Sequence, residues 1–372
     1  MKKNIFFTVL AVSAAIVSCS KDTTINSAEF ADSNVIGFKT YVPKSLSTRG
    51  SAIGSATDLQ ATDFDVFAFT GSNQFMGASA SDGVKIVYTT KWDYDAASEK
   101  AYWPGDNTTK INFFAVSPET NAGLTKNFTA SSQKLDYEAS ATAAEQCDLM
   151  YASVKNVSKS DRDGDNSNRS TGGVKLAFKH ALSQIVFKAK VAVADYSVDV
   201  ESVTLCNLIT KGSFTYSSET WTNDEATVSN YDADITAPVT GITTSAKDLT
   251  TSANALLLIP HTSTKWSVAD SKSSIEEANT AKQTYIKISC KIANTKNGLS
   301  YIIGDADNYA DVYIPFQANW TKGNKYTYTI VFCDPNGNNG YDPEGNPNND
   351  DLLITFEPSV TPWTDQTEDI IM

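Results

Sequence analysis

The sequence predicts a protein built almost wholly of β-strands that pack as β-sandwiches. Short runs rich in β-branched and aromatic residues recur at spacings of about ten to twenty residues, divided by Gly, Pro, Asn and Asp, which is typical of a sandwich or barrel. In some runs apolar and polar residues alternate, as in Ile185–Val191, where Lys188 and Lys190 fall on the polar face. Long amphipathic helical patterns are not visible.

The chain is long enough for two domains. Its 372 residues correspond to two domains at roughly 100–200 residues each. The polar stretch 156–173 reads as the loop between them, because a new strand-rich block begins at Val174. The sequence therefore predicts an N-terminal sandwich over residues 50–172 and a C-terminal sandwich over residues 173–372.

Residues 1–19 have the pattern of a bacterial lipoprotein signal peptide. Lys2 and Lys3 precede the apolar run Ile5–Val17, which is shorter than the roughly 20 residues of a transmembrane helix. Small residues then lead to Cys19, as in a lipobox, where the cysteine is lipidated and becomes the mature N-terminus. We expect export and lipid anchoring at Cys19, with an ordinary secretory signal as the alternative.

One predicted strand is separated from the others by a linker. Residues 20–34 are polar, as a tether would be, and Val35–Val42 then alternates as a strand that Pro43 ends. Ser45–Thr57 is a Ser, Thr, Gly and Ala linker whose only basic residue is Arg49. Because an isolated strand is not stable alone, we expect this one to pair with a segment further along the chain.

Later segments define the interior and the end of the fold. Phe64–Phe69 is apolar on both faces, which predicts a strand inside a sheet that is packed on both sides. Residues 334–350 are rich in Asn, Gly and Pro, and we predict neither strand nor helix there. Leu352–Phe356 is the last long strand in the prediction, and the tail Thr364–Met372 is polar until its last three residues.

Charge excludes some classes of partner. With 30 Lys and Arg against 43 Asp and Glu, the formal net charge is -13. Nucleic-acid binding needs a basic face, and docking to anionic lipid needs basic residues as well. We therefore expect no nucleic-acid partner and a soluble surface that resists nonspecific association.

The cysteines favour buried thiols over a metal site. Apart from Cys19 they are far apart and form no Cys-x-x-Cys pair, so zinc and thioredoxin-like chemistry are unsupported. Cys290 alternates with isoleucines and reads as a small core residue. An oxidising compartment permits disulfides, and the sequence assigns no pairs. We favour mostly free, buried thiols at Cys147, Cys206, Cys290 and Cys333.

Catalytic motifs are missing around the two histidines, His180 and His261. A Ser-His-Asp triad or a histidine-based metal site would have to use one of them. Neither lies in a Gly-x-Ser-x-Gly or His-Glu-x-x-His motif, so we predict structural or hydrogen-bonding roles. The sequence therefore predicts neither enzyme activity nor a cofactor.

Two acidic loops and three tryptophans are candidate ligand sites. Asp161, Asp163 and Asp165 resemble part of a calcium loop, but the glycine is misplaced and no Glu closes the loop, so a solvated acidic loop is the favoured interpretation. The second acidic candidate consists of Asp334, Asn336, Asn338 and Asp342. The tryptophans that could stack on sugars are Trp92, Trp221 and Trp266, although most tryptophans in such a fold fill cores.

Several motifs together resemble the fimbrillin family of Bacteroidetes, which includes proteins related to the major and minor fimbrial antigens. The resemblance implies two tandem β-sandwiches with transthyretin-like Greek-key topology and transport to the outer membrane as a lipoprotein. The matching stretches run nearly from end to end: the lipobox at Cys19, Phe64–Phe69, Tyr102–Pro104, Phe113–Ala115, Asp148–Ala152, Phe178–Ile185, Leu258–Pro260, Trp320–Tyr328 and the loop leading to Trp363.

The resemblance also implies an assembly mechanism. In the family an arginine-specific protease removes the N-terminal segment with its first strand, and the vacated groove accepts a strand from another subunit. Here Val35–Val42 would be the removed strand and Arg49–Gly50 the cleavage site. We favour cleavage there because Arg49 is the only basic residue between Lys44 and Lys85, and an ordinary solvated loop residue is the alternative.

Two functions of different class follow from the sequence. The first is a structural and adhesive pilus subunit at the cell surface, with other pilus subunits as partners and no identified receptor. The second is a monomeric outer-membrane lipoprotein that binds glycan through grouped surface aromatics. Within the first, Thr364–Met372 is a candidate donor strand that Asp365, Glu368 and Asp369 interrupt. Shaft, tip and anchor roles stay open.

Overall fold

A computed structural model of the chain describes residues 34–42, 56–164, 173–268, 274–348 and 353–363. Their regular secondary structure is almost entirely β-strand, as predicted. The helices are one or two turns long: α1 (Ala56–Leu59), α2 (Lys159–Gly164) and α3 (Ile275–Thr280), with 3₁₀ turns at Ala143–Glu145 and Ser252–Asn254. No helix in these ranges is long and apolar enough to cross a membrane.

The first part of the chain contributes nine strands within the described ranges. They are β1 (Phe38–Tyr41), β2 (Phe64–Thr70), β3 (Asn73–Met76), β4 (Val84–Tyr88), β5 (Trp92–Tyr94), β6 (Ile111–Ser117), β7 (Leu124–Phe128), β8 (Gln133–Glu138) and β9 (Met150–Val157).

The remaining strands follow residue 172. They are β10 (Val174–Ala177), β11 (Lys179–His180), β12 (Ser183–Val191), β13 (Tyr196–Ile209), β14 (Lys211–Thr215), β15 (Thr220–Asn223), β16 (Val228–Asp232), β17 (Val239–Ile242), β18 (Lys247–Asp248), β19 (Leu256–Leu258), β20 (Tyr285–Asn294), β21 (Ser300–Ile303), β22 (Ala310–Pro315), β23 (Asn324–Phe332), β24 (Asn338–Asn339) and β25 (Leu353–Pro362).

Three sheets build the N-terminal part of the molecule. The central sheet has the order β11-β9-β6-β2-β4-β5, with β3 paired to β2. One of its faces packs on the two-stranded sheet β1-β10, and the other on the four-stranded sheet β15-β14-β8-β7. Phe64 and Val66 point to the first side, and Phe67 and Phe69 to the second. The prediction that Phe64–Phe69 is packed on both faces is confirmed.

Two sheets build the C-terminal sandwich. One has the order β18-β12-β23-β25-β24 with β19 on β12, and the other the order β16-β13-β20-β21 with β17 on β13 and β22 on β20. Their inner faces form a core with alternating residues such as Ile185, Phe187, Ile288 and Ile330. The transthyretin-like Greek-key arrangement stays a prediction.

The sheets cross the predicted domain boundary at residues 172 and 173. Strand β1 pairs with β10, β9 pairs with β11, and β8 pairs with β14, so three ladders join residues on either side of it. One continuous core likewise includes Phe128 and Tyr137 together with Phe214 and Tyr216. The two predicted halves therefore share sheets and core, and their boundary stays a prediction.

Two local predictions differ from the structure. Asn338 and Asn339 form the short strand β24 against Ile354 and Leu353, although residues 334–350 were expected to contain no strand. The last strand continues past Phe356 to Pro362, because proline is tolerated where a strand has a free edge. Beyond Ile354 that edge of β25 is free within the described chain, while the other edge pairs with β23.

Candidate functional site

The segment from Asn34 to Val42 lies in a channel between two other backbone segments. On one side β1 runs parallel to β10, with Phe38 opposite Val174. On the other side the Ile36 amide donates to the Ala101 carbonyl at 2.9 Å, and the Trp103 amide donates to the Asn34 carbonyl at 2.7 Å. We call this channel the first-strand groove. The prediction that Val35–Val42 contains a strand that pairs downstream is confirmed, although the regular strand spans only Phe38–Tyr41 and Val35 forms an isolated bridge with Tyr102.

The floor of the first-strand groove is apolar. Ile36, Phe38 and Val42 point into it and are only 0 %, 6 % and 3 % exposed. The Phe38 ring lies 6.3 Å from the ring of Tyr94 and 6.1 Å from that of Phe113. Each such side chain contributes about 1.5–3 kcal/mol when it leaves water. Loss of the segment would therefore expose a channel of apolar surface.

The backbone of the first strand passes so close to Gly173, in the groove wall, that it favours a residue without a side chain there. A Cβ atom added to Gly173 would lie 3.1 Å from the carbonyl carbon of Phe38, which is closer than most real contacts. Gly173 directly precedes β10, and the amide of Val174 donates to the Gly37 carbonyl at 2.8 Å. A side chain at position 173 would therefore push the first strand away from its parallel partner.

Two polar side chains of the groove wall bind the first strand. The indole Nε1 of Trp92 donates to Thr40 Oγ1 at 2.7 Å, and the hydroxyl of Tyr94 donates to the Ile36 carbonyl at 2.7 Å. Burial raises the pKa of Tyr94 above its usual range, so the hydroxyl stays a donor. Neither contact was predicted from the sequence. Its available signal was Thr40, a hydroxyl on the same strand face as Ile36 and Phe38.

The predicted processing residues lie outside the described part of the chain. These are the lipidation site Cys19 and the cleavage site Arg49–Gly50. The structure thus describes the strand and its groove, while lipidation and cleavage stay predictions. In sequence, the first strand is joined to Cys19 through residues 20–33 and to Arg49 through residues 43–48.

His180 lies in a buried stack at the junction of the two halves. Its Nδ1 is 3.0 Å from Asp148 Oδ1, and its ring stacks on Trp363 with centroids 4.0 Å apart. The other ring nitrogen, Nε2, has no hydrogen-bond partner among the described residues. Because a triad needs a nucleophile at that nitrogen, this pair does not assemble one here.

His261 has a backbone partner. Its Nδ1 lies 2.8 Å from the carbonyl of Ile259, and its ring packs edge-on against Trp320. Burial lowers the pKa of His261, which favours the neutral ring. Both histidines thus have the hydrogen-bonding and packing roles that the sequence predicted.

The first acidic candidate is engaged in local contacts. Lys110 Nζ lies 2.5 Å from Asp161 Oδ2, and the amide and hydroxyl of Ser158 donate to the same oxygen. These partners lower the pKa of Asp161 to about 2. Asp163 belongs to α2, and Asp165 lies outside the described ranges.

The acidic residues of the second candidate also have partners within the protein. Asp334 accepts hydrogen bonds from the Asn336 amide and the Thr355 hydroxyl, and Asp342 accepts from Asn346. Across the described ranges, no three His, Cys, Asp or Glu side chains lie together as a metal site.

The three tryptophans considered as sugar platforms all have partners inside the protein. Trp92 binds the first strand, Trp221 donates to the Ala181 carbonyl at 2.7 Å, and Trp266 packs between Tyr285 and Tyr341. Among the described residues the large apolar side chains that are exposed are Tyr102, Leu299, Tyr301 and Val360.

The four described cysteines are not joined in disulfides, in agreement with the buried thiols favoured from the sequence. Cys206, Cys290 and Cys333 are buried, and Cys147 is partly buried. Burial raises the pKa of Cys147 and of Cys206 to about 11, so these thiols are protonated at neutral pH and poorly reactive.

Comparison with known proteins places this arrangement in a family. A model of the family described as fimbrillin-like matches residues 48–363. A fimbrial protein from Bacteroides vulgatus ATCC 8482 has a similar solved structure, with a TM-score of 0.58 and 17% identity over 89% of this chain and 99% of that one. A candidate cell adhesion protein from Bacteroides uniformis ATCC 8492 aligns with a TM-score of 0.45 and 12% identity, over 89% and 100% of the chains.

At 17% identity, the likeness to the fimbrial protein from Bacteroides vulgatus shows a shared fold alone. Curated protein sequences give no significant match. The family model, in contrast, covers both predicted halves of the molecule, from the linker after the first strand to Trp363. The chain therefore belongs to the fimbrillin-like family.

Proposed function

We propose that this protein is a structural and adhesive subunit of a cell-surface pilus, assembled by donor-strand exchange. The observation that carries the proposal is the seating of residues 34–42 in the first-strand groove. The segment is hydrogen bonded on both sides and buries Ile36, Phe38 and Val42, yet only a Ser, Thr, Gly and Ala linker joins it to the rest of the chain.

In this proposal export precedes assembly. The precursor is lipidated at Cys19 and held at the outer membrane, and a protease then cuts between Arg49 and Gly50. The first strand leaves, and its groove is open to a strand from another pilus subunit. Unpaired backbone and exposed apolar surface are both costly, and a donated strand satisfies both. Contacts of this head-to-tail kind build filaments rather than closed rings.

The packing of the aromatics supports a pilus subunit over a monomeric glycan-binding lipoprotein. A glycan platform needs aromatic faces grouped at the surface. Trp92, Trp221 and Trp266 instead make internal contacts, and Trp266 is buried. A fimbrial protein is also among the structures that share this fold.

The N-terminus of the protein on its native cell surface tests the proposal. Intact mass of the surface form is expected to show a start at Gly50. Arg49→Ala should abolish that species, while the matched variant Lys44→Ala, which removes the other basic residue nearby, should leave it unchanged. Recovery of only a lipidated Cys19 form from the native surface would contradict strand exchange and favour the glycan-binding alternative.

A further inference from the structure

We infer that Trp92 selects the incoming strand by requiring a hydroxyl at one inward position. This inference rests on the proposed strand exchange. The groove would accept an extended strand whose four alternate inward residues are apolar, apolar, Ser or Thr, and apolar. In the present structure these positions are occupied by Ile36, Phe38, Thr40 and Val42.

The indole N–H of Trp92 has a chemical requirement that only a few side chains meet. Trp92 is 7 % exposed, and its ring centroid lies 4.7 Å from that of Phe64 and 5.2 Å from that of Tyr88. Its Nε1 is a donor only, and its acceptor is Thr40 Oγ1 at 2.7 Å. An apolar residue at the Thr40 position would bury that donor without a partner, which is unfavourable.

Tyr94 makes the contrasting kind of contact. Its hydroxyl donates to the backbone carbonyl of Ile36, which every peptide strand supplies whatever its sequence. Tyr94 therefore fixes the position of a strand along the groove without reading its side chains. Trp92 lies two residues earlier on the same strand, β5, and contacts a side chain instead. Tyr94 thus fixes the position of the bound strand, and Trp92 recognises one of its side chains.

The pattern also points to the source of the donor. No seven-residue window of residues 353–372, read in either direction, has Ser or Thr at the third inward position and apolar residues at the other three. Val360, Pro362 and Thr364 match the first three positions, but Gln366 fails at the fourth. We therefore infer that the donor strand belongs to a different polypeptide, rather than to this C-terminal segment in a second copy.

An exchange assay on the full chain tests this selection. A recognition site for an unrelated protease is inserted within residues 45–55 and cut after folding, so that the first strand stays bound without a covalent link. Fluorescent peptides of residues 34–44 carrying Thr40, Thr40→Ser or Thr40→Val then compete for the groove, and anisotropy gives their affinities. We expect the Thr and Ser peptides to bind alike and the isosteric Val peptide to bind about tenfold more weakly.

The matched protein variant is Trp92→Phe, which removes the indole donor. In it the Thr and Val peptides should bind equally, and the melting temperature of the uncut variant shows that it is folded.

Equal binding of Thr and Val peptides to the unmodified groove would overturn the selection while strand exchange stands. Failure of every peptide to exchange would overturn strand exchange itself. Displacement by a peptide of residues 353–372 would contradict the inferred source of the donor.

Discussion

Asp65 and Lys126 form an ion pair beneath the central sheet. Their side chains are only 3 % and 12 % exposed, and Lys126 also donates to the Glu119 carbonyl at 2.9 Å. Burial raises the pKa of Asp65, and Lys126 opposes that shift. Removing one partner would leave the other charge buried alone. We expect Asp65→Asn or Lys126→Met to lower the free energy of unfolding by about 3 kcal/mol, measured by urea denaturation.

A neighbouring, solvent-exposed ion pair is the control for the effect of burial. Lys85 lies 2.9 Å from Asp63, and these side chains are 33 % and 38 % exposed. Lys85→Met should cost less than about 1 kcal/mol, because solvent screens such pairs. The double variant of Asp65 and Lys126 should be more stable than either single one. Equal costs for the buried and the exposed pair would refute the explanation by burial.

At the level of strands, β25 pairs with β23 along its length, and a buried tryptophan anchors its C-terminal end. Glu357–Pro362 is exposed along this strand, and the Val360 side chain is 53 % exposed. Trp363, which follows directly, is buried, stacks on His180, and donates its amide to the Gly323 carbonyl at 2.7 Å. We expect Trp363→Ala to speed hydrogen exchange at the β25 amides about tenfold or more, since the buried anchor is lost.

Hydrogen exchange measured by mass spectrometry distinguishes this local effect from global loosening. Exchange in β13 and β20, in the other sheet of the sandwich, should change little. Val360→Ala is the matched control, because it shortens an exposed side chain of the same strand and should leave exchange nearly unchanged. Uniform acceleration over all strands would mean that Trp363 stabilises the whole sandwich rather than the end of β25.

Strands with a clear period were predictable, and long-range contacts were not. The isolated strand Val35–Val42 follows from local alternation, and the strand Phe64–Phe69, buried on both faces, follows from its short continuous apolar run. The hydrogen bond between Trp92 and Thr40 joins residues 52 positions apart, and no local pattern encodes such a pairing. The extension of β25 to Pro362 was missed because proline is a barrier only where a strand edge is paired.

Across the whole molecule, a polar junction supplements the shared sheets. The Tyr151 hydroxyl donates to Glu219 at 2.8 Å, and Lys322 donates to the Tyr151 hydroxyl at 2.6 Å. Burial favours a higher pKa for Glu219, but Lys179, Tyr151 and Lys322 together lower it. The junction thus ties β9 to two turns of the later chain. Its members are distant in sequence, and no local pattern therefore predicted this contact between the two halves.

Shared sheets predict one cooperative unit rather than two independent domains. Fragments of residues 50–172 and 173–372 would each lack partners for ladders such as β8-β14, and would expose the core around Phe128 and Phe214. We expect neither fragment alone to show a cooperative thermal transition. The intact chain should unfold in one step, with circular dichroism and tryptophan fluorescence coinciding.

A cut made after folding separates covalent connection from structural dependence. A protease site inserted within residues 165–172 can be cleaved in the folded protein. The two pieces should then still co-elute in gel filtration, because the ladders β9-β11 and β8-β14 and the continuous core hold them together. The uncut chain with the same insertion is the matched control. If the pieces separated and each kept a cooperative transition, the molecule would consist of two autonomous sandwiches. Strand β10 would then belong to the second sandwich by sequence while it forms a wall of the groove in the first.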